Sequence, residues 1–273
     1  MKEVILNNGT KIPSIGVGVF RVENANIAYE TVKTALSVGY RHVDTAMIYG
    51  NEEAVGKAIR DSGIPREEIF LTTKLWNDDQ RSGKVEEAIE ASLKRLGMDY
   101  VNLYLVHWPV KETYVSVWKK MEAVYKSGKA KAIGVSNYQT HHLADLLEEA
   151  EIIPAVNQIE CYPYLSQAAT IQYCLERNIR PEAWGPLGAG KSDILTNPVI
   201  TEIAKKRGLT PAQVVLGWNL ERGVIVIPKS IHKERLTENL KCTDFELTDE
   251  DMTRISALNK NLRLGADPDH FNF

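Results

Sequence analysis

The run Val101-Asn102-Leu103-Tyr104-Leu105-Val106-His107 decides what this chain folds into. It is apolar nearly throughout and stops at an imidazole. Two earlier runs have the same form. Tyr40-Arg41-His42-Val43-Asp44 ends at a carboxylate, and Ile69-Phe70-Leu71-Thr72-Thr73-Lys74 ends at an amine. Short apolar runs without strict alternation read as strands covered on both faces, the habit of parallel sheets. Enzymes built on parallel strands keep their chemistry at the carboxyl ends of those strands. Asp44, Lys74 and His107 therefore fall on one functional rim, and Tyr49 follows Asp44 closely enough to join them.

Outward from these runs, the pattern repeats. Gly18, Asp44, Lys74, His107, Asn137, Gln158, Trp184 and Pro228 close successive strand-like stretches, Ala130–Val135 being the one before Asn137. Most intervals lie near the about thirty residues that a strand, a helix and the return take. The longer interval from Trp184 to Pro228 holds two helical patterns, Val199–Arg207 and Pro211–Glu221. Eight such strands predict one α/β domain over residues 1–273, a (β/α)8 TIM barrel. Ala25–Ser37 and Lys84–Leu96 carry apolar residues at helical spacing, and Gly97 suits a left-handed helix end. Thr210 and Pro211 form a helix start. Val4-Ile5-Leu6 and Lys11-Ile12 flank Asn7-Asn8-Gly9-Thr10, which predicts a hairpin plugging the barrel's amino end. One more helix begins at Thr248 and runs to Leu258, before the tail Asn259–Phe273.

Composition excludes several function classes. The 273 residues are 44% hydrophobic and 25% charged, values of an ordinary globular chain. A net charge of −3 offers no basic face to nucleic acid or anionic lipid. No apolar run approaches the ~20 residues of a membrane span. The start, Met1-Lys2-Glu3-Val4, lacks a signal-type apolar core. The three cysteines are widely spaced and odd in number, so reduced thiols in a cytoplasmic protein are expected, with neither disulfide nor metal.

The rim residues form a proton-transfer set. A free tyrosine has a pKa of about 10, too high for an efficient acid near neutrality. A lysine ammonium about 4 Å away, at an effective dielectric near 20, favours the phenolate by roughly 4 kcal/mol. That is about three pKa units, enough to bring Tyr49 near working pH. Asp44 would keep the lysine charged, and His107 would hydrogen-bond a substrate oxygen as a neutral imidazole. Each residue alone has an ordinary reading: Asp44 as a helix cap, Lys74 as an ion-pair partner, His107 as a structural histidine. Their joint arrival at neighbouring strand ends favours general acid catalysis, worth ~10²–10⁴ in rate.

Asp44-Thr45-Ala46-Met47-Ile48-Tyr49, Lys74-Leu75-Trp76, Leu105-Val106-His107-Trp108-Pro109, Gly134-Val135-Ser136-Asn137 and Ile227-Pro228-Lys229-Ser230 resemble the signatures of aldo-keto reductases. The chain is most similar to small microbial members of the 2,5-diketogluconate reductase and prostaglandin F synthase types. The resemblance implies NADPH-dependent reduction of aldehydes, α-dicarbonyls or keto sugars by a monomeric enzyme. It implies Tyr49 as proton donor, Lys74 and Asp44 as its tuning pair, and His107 orienting the carbonyl. It assigns Ser136, Asn137 and Gln158 to the nicotinamide carboxamide, Trp184 to stacking, and Leu187 to the pyrophosphate cover. Lys229, Ser230 and Arg235 would clamp the 2′-phosphate, with Glu238 and Asn239 facing the adenine. Phe20, Trp76 and Trp108, with Phe271, would line the substrate pocket.

Several positions depart from the family pattern. Trp184 stands where most relatives have tyrosine, Gly185 where they have serine, and Phe20 where many have tryptophan. Pro181 falls inside a central strand, where it removes a ladder donor. Two rival functions also stand. The same fold serves as an NADPH-binding regulatory or structural protein in some relatives. Gly185-Pro186-Leu187-Gly188-Ala189-Gly190-Lys191-Ser192 also satisfies the P-loop pattern of a nucleotide triphosphatase. A P-loop needs a long helix starting at its Lys-Ser, and Asn197-Pro198 interrupts soon after. Gly16-Val17-Gly18-Val19-Phe20 lacks the third glycine of a dinucleotide fingerprint.

Overall fold

A hairpin opens the computed structural model, which describes residues 2–273. Its strands β1 (Glu3–Ile5) and β2 (Lys11–Pro13) are antiparallel. Among the described residues, eight further strands then pair in parallel and in chain order. They are β3 (Val17–Gly18), β4 (His42–Asp44), β5 (Phe70–Leu75), β6 (Leu103–Val106), β7 (Ile133–Ser136), β8 (Val156–Glu160), β9 (Arg180–Trp184) and β10 (Ile225–Val226). The sheet's two edges meet where Ile15 bridges Val226, and the Gly18 amide donates to the Pro228 carbonyl at 3.2 Å. The sheet is a TIM-type barrel. Each of the eight positions read from spacing lies within two residues of a strand's carboxyl end.

Helices cover the outside. In chain order they are α1 (Ala25–Val38), α2 (Glu52–Arg60), α3 (Asn77–Ser82), α4 (Val85–Leu96), α5 (Ser116–Lys126) and α6 (Thr140–Glu149). Then come α7 (Ala168–Glu176), α8 (Pro198–Arg207), α9 (Pro211–Glu221), α10 (Lys233–Leu240) and α11 (Asp249–Ser256). Local chemistry sets their ends. Asn24 Oδ1 accepts the amides of Asn26 and Ile27 to start α1. Thr210 and Gln213 exchange capping bonds at the start of α9, with Pro211 in its first turn. Helix α4 stops at Gly97, φ 63°, a backbone state that side chains disfavour. Helix α11 ends earlier than expected because the Leu258 amide reaches back three residues, to Ile255, and tightens the last turn.

The barrel interior is layered. At the amino end, Leu6 and Ile12 of the hairpin pack with Phe70, Leu103, Leu105, Val156 and Ile225. Hence the hairpin is the apolar plug of that end. Gly134 belongs to this crowded wall: a Cβ there would sit 2.5 Å from the Val156 carbonyl oxygen. Toward the carboxyl end the interior turns polar, with His42, Asp44, Lys74, Gln158 and Glu182 all buried.

Pro181 leaves its strand intact. The Arg180 amide serves the β8 ladder by donating to Ala155, and the β10 ladder starts only at Glu182. The loop after β9 contains two short 3₁₀ turns, Gly188–Gly190 and Ile194–Thr196, and the next α-helix waits until Pro198. Lys191 and Ser192 thus do not open a helix. No helix among the described residues is long and apolar enough to cross a membrane.

Candidate active site

Strands β4 and β5 bring Asp44 and Lys74 side by side, and a 3₁₀ turn, Met47–Tyr49, carries Tyr49 over them. Lys74 Nζ donates to Asp44 Oδ1 at 2.6 Å, to the Thr45 carbonyl at 2.9 Å and to the Tyr49 hydroxyl at 3.4 Å. Lys74 is fully buried and Asp44 nearly so. His107, just past β6, sets its ring edge-on to Tyr49 at 5.8 Å and to Trp76 at 5.2 Å. The four groups expected on one rim therefore share one site.

Their electrostatics differ from the sequence-level expectation in one respect. Burial pushes the Tyr49 phenol up, Lys74 pulls it down, Asp44 pushes it up again, and the net direction is above the ordinary value. The two-body arithmetic for Lys74 and Tyr49 left out desolvation, which wins here. Burial alone would lower the Lys74 pKa, but Asp44 and then Tyr49 oppose it, and the net direction is upward. Lys74 is therefore a fixed cation. Burial, and then the Lys74 charge, hold His107 well below its usual range, so its imidazole is neutral. Among the described residues its Nδ1 has no hydrogen-bond partner.

A second polar layer lies behind the first. Gln158 on β8 reaches across the barrel, and its Nε2 donates to Asp44 Oδ2 at 2.7 Å and to Glu182 Oε2 at 2.9 Å. Glu182 on β9 faces His42 on β4, with Oε1 3.6 Å from His42 Nε2. Asn137 is more committed than expected for a cofactor contact. Its Nδ2 donates to the His107 carbonyl and to Ser136 Oγ, while its Oδ1 accepts the Trp184 indole N–H at 2.8 Å. Ser136 Oγ in turn donates to the Gln158 carbonyl at 2.9 Å. Asn137 thus steadies His107 and Trp184 and keeps one free lone pair. Trp184 also lies against the tail, where a Cβ on Gly265 would fall 2.5 Å from its ring.

Aromatic rings surround the mouth. Phe20 tilts over Tyr49 at 4.9 Å. Phe273 stacks flat on Trp76 at 5.8 Å, and Phe271 and Phe273 each approach Trp108 to 5.2 Å. The tail carrying them is anchored by Glu160, whose carboxylate accepts the amides of Leu264 and Gly265. Asp269 in the tail meets His141 Nε2 at 2.9 Å and His142 Nε2 at 3.3 Å. His142 Nδ1 accepts the Gln139 amide, which assigns its proton to Nε2 and makes that atom a donor rather than a metal ligand.

A cationic corner lies at the start of α10. Lys229 and Arg235 are exposed and have no ion pair among the described residues. Buried Ser230 accepts the His232 amide at 3.1 Å, and no side chain caps the helix start. Glu238 is engaged by Thr210 at 2.7 Å, Asn239 is buried beside it, and Leu187 packs half-buried against the core after β9.

Residues 14–260 match the model of the Aldo/keto reductase family. The chain belongs to that family. Glyoxal reductase of Bacillus subtilis is 51% identical over 270 residues, covering 99% of this chain and 97% of its own. Methylglyoxal reductase DkgA of Salmonella typhimurium is 44% identical over 268 residues, covering 97% and 96%. A crystal structure of an aldo-keto reductase from a Medee basin deep-sea metagenome library superposes with a TM-score of 0.96 at 47% identity, covering 100% of both chains.

In this aldo/keto reductase, three side chains stand at the site without having been singled out from sequence. Glu182 sits mid-strand and His42 opens β4, places where a polar residue reads as outward-facing. Their inward aim follows from barrel closure alone. Phe273 belongs to a tail without periodicity, and the pair of phenylalanines at 271 and 273 was its one signal.

Proposed function

We propose that this chain reduces small aldehydes and α-dicarbonyls with NADPH, and that Tyr49 delivers the proton. The carrying observation is the Tyr49–Lys74–Asp44 chain of contacts at 3.4 and 2.6 Å, closed by a neutral His107. The relatives named for glyoxal and methylglyoxal support the choice of substrate class.

The residues present fit a nicotinamide cofactor. Gln158 Oε1 has no protein partner among the described residues, so it can accept from a carboxamide. Lys229, Ser230 and Arg235 beside an uncapped helix start suit a phosphate dianion, which favours NADPH over NADH. Trp184 offers a ring beside these groups, and Leu187 covers the loop side. When bound, the nicotinamide supplies hydride to the carbonyl carbon.

The chain supplies the rest. His107, neutral, donates to the carbonyl oxygen and fixes its direction. Tyr49 gives its hydroxyl proton to that oxygen as negative charge builds on it. Lys74 stabilises the phenolate left behind, and Asp44 keeps Lys74 in place. Phe20, Trp76 and Trp108 narrow the mouth and exclude water, which strengthens these interactions. Buried free thiols at Cys161, Cys174 and Cys242 suit a reducing cytoplasmic setting.

The test follows NADPH absorbance with glyoxal, methylglyoxal and an aromatic aldehyde. Turnover that disappears in Tyr49→Phe supports the reading. No turnover across a broad carbonyl panel, or turnover unchanged in Tyr49→Phe, rejects it.

A further inference from the structure

We propose that Glu182 is a positioning residue for the cofactor: it locks the Gln158 amide with its nitrogen toward the barrel interior and its oxygen left for a ligand. This rests on the reading above that the site takes a nicotinamide cofactor. The amide nitrogen has two hydrogens, and each is spent on a different carboxyl group: Asp44 Oδ2 at 2.7 Å and Glu182 Oε2 at 2.9 Å. Asp44 alone would hold one hydrogen and let the amide pivot. The second anchor stops the pivot. A flipped amide would turn its oxygen onto the Asp44 carboxylate and onto the Glu182 oxygen that carries no proton, so the orientation is fixed by the donor inventory.

The groups facing Glu182 explain why a second carboxyl group is tolerated there. They are Asp44 and His42 from β4, Lys74 from β5 and Gln158 from β8. Glu182 has no solvent exposure. Burial, and then the Asp44 charge, hold its proton on up to about 8. A protonated Glu182 leaves one carboxylate and one ammonium in the cluster, a balanced pair. Its Oε2 still accepts from Gln158, and Oε1 faces His42 Nε2, which burial keeps neutral. Above that range Glu182 gains a charge, and that charge is among those that help keep Lys74 protonated.

Two variants separate positioning from simple barrel filling. Glu182→Leu keeps the bulk and removes the acceptor. Glu182→Gln keeps an acceptor and removes the charge. Binding of NADPH is read by quenching of protein fluorescence, without turnover, and folding by near-ultraviolet circular dichroism. Glu182→Leu is expected to raise the NADPH dissociation constant about tenfold, the scale of one hydrogen bond. Glu182→Gln is expected to restore wild-type binding while moving the alkaline loss of carbonyl reduction to lower pH. Two folded variants that both bind like wild type, or that both lose binding equally, overturn the role of Glu182. A variant that fails to fold leaves the other to decide, the Leu variant by its NADPH affinity and the Gln variant by the shift of its alkaline limb. A wild-type chain that binds neither NADPH nor NADH overturns the proposed function itself, and this inference with it.

Discussion

The Lys74 ammonium lies 3.4 Å from the Tyr49 hydroxyl, at the inner end of a phenol whose ring remains part-exposed. Both charge and burial act on that one oxygen, in opposite directions. Burial leads, so the phenol keeps its proton at and above neutrality. In the proposed reaction Tyr49 therefore acts as a proton donor first and as a base only at high pH.

This has a direct kinetic consequence. By the proposed mechanism, carbonyl reduction needs the protonated phenol, which is present below its pKa. Alcohol oxidation needs the phenolate, which is present above it. Since the pKa is raised above that of an ordinary phenol, reduction is expected to hold level through neutral pH and to fall only in the strongly alkaline range. Oxidation of the product alcohol is expected to climb over the same range. The two pH–rate profiles check this. A reduction limb centred near neutrality would mean that Lys74 outweighs burial after all.

Removing one half of the Asp44–Lys74 pair is expected to cost folding as well as activity. At 2.6 Å and essentially no exposure, the pair leaves an uncompensated buried charge when cut. Lys74→Met is expected to lower stability by about 3–5 kcal/mol. The double variant Lys74→Met/Asp44→Asn is expected to recover much of that loss while remaining inactive. Urea midpoints of the single and double variants measure it. Equal midpoints for the two would show that the charge on Asp44 does not matter.

The rim was legible in sequence because β4 to β8 each have a polar group at or beside the carboxyl end, and the repeat length places those ends together. What could not be read was anything that depends on opposite walls meeting. Gln158 and Asp44 are four strands apart around the barrel, yet share a 2.7 Å bond. The charge on Lys74 could be weighed against Tyr49 from sequence, but the burial of Tyr49 could not. The helix starts at Thr210 and Thr248 were local chemistry and were readable. The place of Phe273 was not, since it depends on the distant anchors at Glu160 and Asp269.

Three buried imidazoles make acid stability a test of the interior. Burial lowers His42 to about 3 and His142 to about 4, and holds His107 well below its usual range. In the unfolded chain each titrates near 6.5. The folded state therefore refuses protons that the unfolded state accepts. Stability from these groups is complete above about 6.5. It is lost as pH falls from there toward the folded values. Urea midpoints are expected to drop between pH 6.5 and about 4.5, more steeply than in His142→Asn, which cannot be protonated and can still accept the Gln139 amide. Parallel curves for the two would contradict a neutral buried His142.

The cationic corner at α10 is expected to separate the two nicotinamide cofactors. Lys229 and Arg235 lack partners among the described residues, so neither is already neutralised. Replacing both with alanine is expected to weaken NADPH binding by at least about tenfold, given the strength of charge-assisted hydrogen bonds. NADH, without the extra phosphate, is expected to bind the variant and the wild type alike. Titration at two salt concentrations adds a control, since the NADPH difference should shrink with ionic strength. An equal loss for both cofactors would place these residues elsewhere in the binding site.

The aromatic mouth gives a test that leaves the proton chemistry alone. Phe273 lies flat on Trp76, with ring planes 5° apart, and Asn77 and Arg81 hold its carbonyl oxygen at 3.0 and 2.7 Å. The Trp76 ring also meets His107 edge-on, so the stack supports the residue proposed to aim the carbonyl. Phe273→Ala removes three aromatic contacts, to Trp76, Trp108 and Phe271, of which the Trp76 stack, worth about 0.5–1.5 kcal/mol, is the one that reaches His107. For methylglyoxal, which is too small to fill the opened space, KM is expected to rise between about twofold and tenfold. A bulky aromatic aldehyde can occupy the vacated ring's place, so its KM is expected to change less or to fall. The alkaline limb of reduction should stay where it was, because the rings that Phe273 meets are those of Trp76, Trp108 and Phe271, and not that of Tyr49. A Phe273→Ala variant that moved that limb, or that weakened both substrates alike, would mean that the tail shapes the proton donor rather than the opening above it.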